Sequence, residues 1–238
     1  MSTSSILPQL EAAGDRSRAK DQKDKKNYAE ALSRALATRI ANLLRADFPG
    51  ILPDEFGRRQ ESRARTSKGF KKLDVNYSTP ELGLGLGVSI KTLNFRDPKT
   101  KRYTKNYTRI DNELRAEAHD YHERQPYAVL VALVFLPADA CDDGMKQNPS
   151  SFGNAVYLFR GRTGRQRPTD SPGLFEAVFI GLYEPDGDLR GQVAFFDVMT
   201  NPPKQGRPKQ GLIGFDQLVR AITSVYDRRN GSKKDWAE

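Results

Sequence analysis

Ten residues, Tyr127-Ala128-Val129-Leu130-Val131-Ala132-Leu133-Val134-Phe135-Leu136, follow Pro126 without a polar interruption. The run is too short to span a bilayer as a helix. It reads as a strand buried on both faces of a sheet, and such a strand needs cover above and below. The expected fold class is therefore α/β, with a central mixed β-sheet flanked by helices.

The other elements agree with that frame. Leu32, Leu36, Ile40 and Leu43 recur at helical spacing, and Pro49-Gly50 stops the run, which places a helix at 27–47. Residues 72–78 and 84–95 read as two strands around the turn Thr79-Pro80-Glu81-Leu82-Gly83. A helix from about Arg109 to Glu123 leads into the apolar strand. Beyond it come a helix within 149–160, strands at 174–183 and 191–198, and an amphipathic helix at about 214–228. Residues 1–26, rich in Ser, Lys, Asp and Arg, read as a flexible basic lead-in. Residues 27–238 read as a single domain, with a core at 27–136 and a sheet extension and helix at 149–238.

Lys and Arg number 39 against 30 acids, a net charge of +9 that favours a polyanionic partner, nucleic acid first. Four basic segments supply candidate phosphate contacts. They are Arg63, Arg65 and Lys68; Lys101, Arg102 and Lys105; Arg162, Arg165 and Arg167; and Lys204, Arg207 and Lys209. Cys141 is the single cysteine and His119 and His122 the only histidines, so a metal would take oxygen ligands, as Mg2+ or Mn2+ does. Residues 1–26 hold no apolar signal core, and the expected location is cytoplasmic.

The strongest functional clue is Asp74, followed seventeen residues later by Lys91. A hairpin of that size brings both to one end of a sheet, and a metal-holding carboxylate beside a lysine is a common arrangement for cleaving a phosphodiester. The plainer reading is a salt bridge between neighbouring strands.

The order helix, strand hairpin, helix, buried strand, together with Asp74 and Ser89-Ile90-Lys91, resembles the core of the PD-(D/E)xK nuclease superfamily, whose best-known members are restriction endonucleases. The likeness covers roughly 27–136 and implies a restriction-endonuclease-like core and Mg2+-dependent (or Mn2+-dependent) hydrolysis of double-stranded DNA. A restriction or other antiviral defence role follows from the same resemblance, as does a homodimer matched to a two-fold site. Asp74 and Lys91 match the catalytic positions, and Glu30 resembles the added helix glutamate. Ser89 stands where the family has its second carboxylate. Glu113 and Glu117, four apart on one helix face, are the substitutes, with Glu113 preferred. Ile90 would point its side chain to the opposite face of the strand and offer its carbonyl to the metal. The implied metal set is thus Asp74, Glu113, Glu30 and Ile90, with Lys91 and Ser89 completing the catalytic group.

Two rivals belong to other classes. Ser89 favours a non-catalytic nucleic-acid-binding protein on a degenerate nuclease fold. Tyr103 and Tyr107, inside a basic loop, suit an RNA binder that stacks bases on aromatic rings. The alternating Gly83, Gly85 and Gly87 leave one strand face bare, open to another backbone or to DNA.

Overall fold

The computed structural model of the chain describes residues 4–59, 62–66, 69–80 and 83–231, with the side chains at 62–65 and 70 outside that description. Its centre is the apolar run. Strand β5 (Val129–Pro137) is buried along its whole length. It lies parallel to β4 (Gly83–Thr92) on one side and to β6 (Ala177–Tyr183) on the other. With β3 (Val75–Thr79), β7 (Val193–Asp197) and β8 (Leu212–Ile213) it forms a six-stranded mixed sheet in the order β3-β4-β5-β6-β7-β8. A separate hairpin, β1 (Ser62–Thr66) and β2 (Gly69–Leu73), arises within the basic stretch.

Why the run shows no alternation follows from its two neighbouring layers. Val129, Val131, Leu133 and Phe135 enter one core layer, packed with α2 (Gln22–Leu44) and α5 (Phe215–Asn230). Leu130, Ala132, Val134 and Leu136 enter the other, packed with α3 (Tyr107–Arg124) and α4 (Ser151–Arg160). Side chains point alternately up and down, and both directions are apolar because helices cover both faces.

The amino-terminal expectation is corrected. A short helix α1 (Leu7–Ala13) docks within residues 1–26, with Ile6 and Leu10 buried in the same core layer as α2. Helix α2 begins at Gln22, five residues before the predicted start, because the Asp21 side chain caps it by accepting from the Asp24 N–H. The alternating glycines also have an internal explanation. A Cβ at Gly87 would lie 2.8 Å from side-chain carbons of both Leu130 and Leu73, so the bare face is filled by the protein's own core. Among the described residues no helix is long and apolar enough to cross a membrane.

One topological detail positions the site. β3 and β4 are antiparallel with Val75 opposite Val88, so β4 continues past the point where β3 begins. Ser89, Ile90 and Lys91 lie on that overhang, still paired with β5 but no longer with β3. The opening lies between α2 and α3.

Candidate active site

Asp74 sits at the bend between β2 and β3 and closes the overhang. Its Oδ2 accepts the Ile90 backbone N–H at 2.6 Å, taking the donor that β3 no longer pairs. Ile90 packs among the α2-side core residues, so Ser89 and Lys91 face α3. On α3 the residue that meets them is Glu117. Its Oε2 accepts from Ser89 Oγ at 3.1 Å and lies 3.2 Å from Lys91 Nζ. Glu113, one turn earlier, is 4.0 Å from Lys91 and is held by Arg109 at 2.6 Å. The exposures separate the two acids: the Glu117 side chain is 16% exposed and that of Glu113 41%. Both reach the same lysine, but Glu117 is the enclosed partner and Glu113 stands at the mouth.

The electrostatics follow from this enclosure. Burial alone would lower the Lys91 ammonium pKa, but the charges of Glu117 and Asp74, the hydrogen bond to Glu117 and the charge of Glu113 outweigh it and raise it. The lysine is therefore a cation at neutral pH. Tyr121, one turn beyond Glu117, is buried and was not singled out from the sequence. Burial pushes its phenol well up, and the negative charges of Glu117 and Asp74 add to the effect. Among the described residues the Tyr121 hydroxyl has no hydrogen-bond partner. The available sequence signal was its i+4 spacing from Glu117, masked by tyrosine's frequency in apolar cores.

Beside Lys91 a cleft of about 610 Å³ opens between α2 and the 96–109 loop. Lys25, Lys26, Lys105 and Arg109 line it, as do Glu30 and Glu113. Glu30 pairs with Lys26 at 3.7 Å and is more than half exposed, so it borders the cleft without joining the carboxylates around Lys91. Lys105, bonded to Asp97 at 3.1 Å, remains largely exposed. Lys101 is also exposed, whereas Arg102 is mostly buried against the Pro149 carbonyl.

Several expected phosphate contacts are elsewhere. Arg165 is a core residue: its side chain is 1% exposed and pairs with Glu176 at 2.9 Å and with the Pro126 and Pro168 carbonyls. Arg162 forks onto both oxygens of Asp111 at 2.6 and 2.7 Å. Only Arg167 of that group is exposed. Lys204 bonds the Lys146 carbonyl, Arg207 pairs with Glu184, and Lys209 is exposed. No residue of 160–167 or 204–209 lines the cleft beside Lys91. Lys68 and the side chains of Arg63 and Arg65 lie outside the described residues. Tyr103 and Tyr107 are buried, their hydroxyls bonded to Asp139 and to the Ser151 carbonyl, so neither ring is offered for base stacking.

Among the described residues no group of three or more His, Cys, Asp or Glu side chains converges as a metal cage. The acids beside Lys91 offer oxygen donors alone. No protein-family model, curated protein or solved structure matches the chain.

Proposed function

We propose that the protein is a magnesium-dependent deoxyribonuclease whose centre comprises Asp74, Glu117 and Lys91. The observation that carries this reading is the contact of Glu117 with both Ser89 and Lys91. It returns a carboxylate, from the helix, to the place that the Ser89-Ile90-Lys91 segment leaves without one. The overhang of β4 beyond β3, with Asp74 bonded to Ile90 N–H, supports the restriction-endonuclease-like arrangement that the sequence suggested.

The donor set fits a hard cation. Mg2+ is commonly held by one or two carboxylates, with water and substrate phosphate completing its shell, so a third acidic side chain is not required. Asp74 and Glu117 would hold it, and the Ile90 carbonyl is the further donor that the resemblance suggests. Bound there, the ion would supply positive charge to offset that developing on the phosphoryl oxygens and would lower the pKa of a water. Lys91, a cation fixed by Glu117, orients the scissile phosphate and offsets the charge that develops on it. Lys25, Lys26, Lys105 and Arg109 make the adjoining cleft a track for a phosphate backbone. Double-stranded DNA is the proposed substrate, and a restriction or defence role the proposed setting.

A second reading, a DNA-binding protein that does not cut, is favoured by the sparse carboxylates. Conversion of supercoiled plasmid to open circles, with Mg2+ and with EDTA, separates the two. Cutting in Mg2+ that Asp74→Asn abolishes supports the nuclease. Binding without cutting supports the rival.

A further inference from the structure

Glu113, Glu117 and Tyr121 follow one another at four-residue intervals on α3, so they form a single stripe running from the mouth of the cleft inward. Tyr121 is the innermost and fully buried, and among the described residues its hydroxyl has no hydrogen-bond partner. Buried polar atoms are nearly always paired, and an unpaired one calls for a specific cause. Its neighbour in the stripe has the complementary vacancy. Glu117 spends Oε2 on both Ser89 and Lys91, and no hydrogen bond to its Oε1 is seen among the described residues. A tyrosine hydroxyl is a donor at neutral pH, and a carboxylate oxygen can only accept. A donor and an acceptor, neither bonded among the described residues, thus stand one helical turn apart.

We propose that Tyr121 is a positioning residue of the Asp74–Glu117–Lys91 centre, its hydroxyl donating, directly or through one water, to the Glu117 carboxylate when the centre is loaded. This rests on the nuclease reading. The hydroxyl fixes which Glu117 oxygen faces the incoming ligand, while Ser89 and Lys91 hold the other. It touches neither DNA nor the scissile phosphate and takes no part in proton transfer.

The test is Tyr121→Phe in the full chain, read three ways: thermal melting without metal, Mn2+ affinity by calorimetry, and the separate kcat and KM for plasmid nicking. The expected result is a melting temperature equal to or slightly above wild type, because an unpaired buried hydroxyl has been removed. Mn2+ affinity and kcat should each fall about tenfold, the order expected for one lost hydrogen bond to a charged group, with KM for DNA unchanged. Wild-type Mn2+ affinity and kcat in the variant would overturn the proposal. A melting temperature several degrees lower without metal would also overturn it, by showing that the hydroxyl serves the fold. A wild-type protein that neither binds Mn2+ nor nicks DNA would overturn the nuclease reading and this inference with it, whereas a wild type that does both beside an unaffected variant would overturn this inference alone.

Discussion

Lys91 Nζ lies 3.2 Å from Glu117 Oε2, across the gap between the overhanging end of β4 and the middle of α3. The pair is largely enclosed, and the charge of Asp74 also acts on the lysine. Because the folded-state pKa of Lys91 is raised, its contribution to stability is fully present below the ordinary lysine value of 10.5 and is lost as pH rises through the higher folded value. The melting-temperature advantage of wild type over Lys91→Met should therefore be constant between about pH 6 and 9 and disappear only beyond the unperturbed lysine pKa. An advantage that fades near neutrality would mean that the lysine is neutral there.

A second ionic cluster serves the fold. Glu176, 1% exposed, meets Arg165 at 2.9 Å, Arg229 at 3.0 Å and His122 at 3.4 Å, and accepts the Leu130 N–H at 2.7 Å. It ties the 160s loop and the end of α5 to the start of β5. Removing one partner of a buried pair leaves an uncompensated charge, so Arg165→Ala should cost about 3–5 kcal/mol. In a chain of this size that is a fall in melting temperature on the order of 10 °C. Arg167→Ala, at an exposed side chain, should change it by no more than about 0.5 kcal/mol. Equal melting curves for the two variants would remove the structural role assigned to Arg165.

The same cluster sets an acid limit. Burial would raise the Glu176 carboxyl, but the His122 ring 3.4 Å away, the Leu130 N–H and Arg165 overcome burial and hold the pKa below the ordinary 4.5. A depressed carboxyl stabilises the fold above its unfolded value and loses that contribution as pH falls through the folded one. Melting temperature should thus begin to drop below about pH 4.5, and the drop should be shallower in Glu176→Gln, measured from its own starting point.

DNA affinity should map to one cleft. Each phosphate contact contributes about −0.9 to the slope of log K against log salt for duplex DNA. Replacing Lys25, Lys26 and Arg109 with Gln should flatten that slope by up to about 3 units. Replacing Arg167, which lines no part of the cleft, should leave it unchanged. The reverse ranking, in a filter-binding or anisotropy titration, would move the DNA track to the 160s loop.

What the sequence disclosed and what it hid divide along physical lines. The unbroken apolar run located the central strand, because only double-sided cover tolerates ten consecutive apolar residues. Asp74 and Lys91 were legible as neighbours because a short hairpin fixes register locally. Which helix acid meets Lys91 was not legible. Glu113 and Glu117 share a face, and the choice depends on how far α3 slides along β4, which no local pattern records. The arginines misled for a related reason. Composition counts charge but cannot tell a solvated guanidinium from one whose acceptors come from other segments of the fold, as Glu176 and Pro126 do for Arg165. Docking of α1 was hidden because its short apolar patch, Ile6, Leu7 and Leu10 with Ala12 and Ala13, stands in a stretch dominated by polar and charged residues.

The most direct measurement compares wild type, Glu117→Gln and Glu113→Gln in one Mg2+-dependent plasmid-nicking assay, with melting temperatures as the folding control. Wild type should nick, Glu117→Gln should lose about 10²–10³ in rate, the loss typical of one preorganised electrostatic contact, and Glu113→Gln should stay within about tenfold of wild type, the range of a single exposed ion pair and less. Nicking by Glu117→Gln at the wild-type rate, or by wild type in EDTA, would contradict the proposed centre.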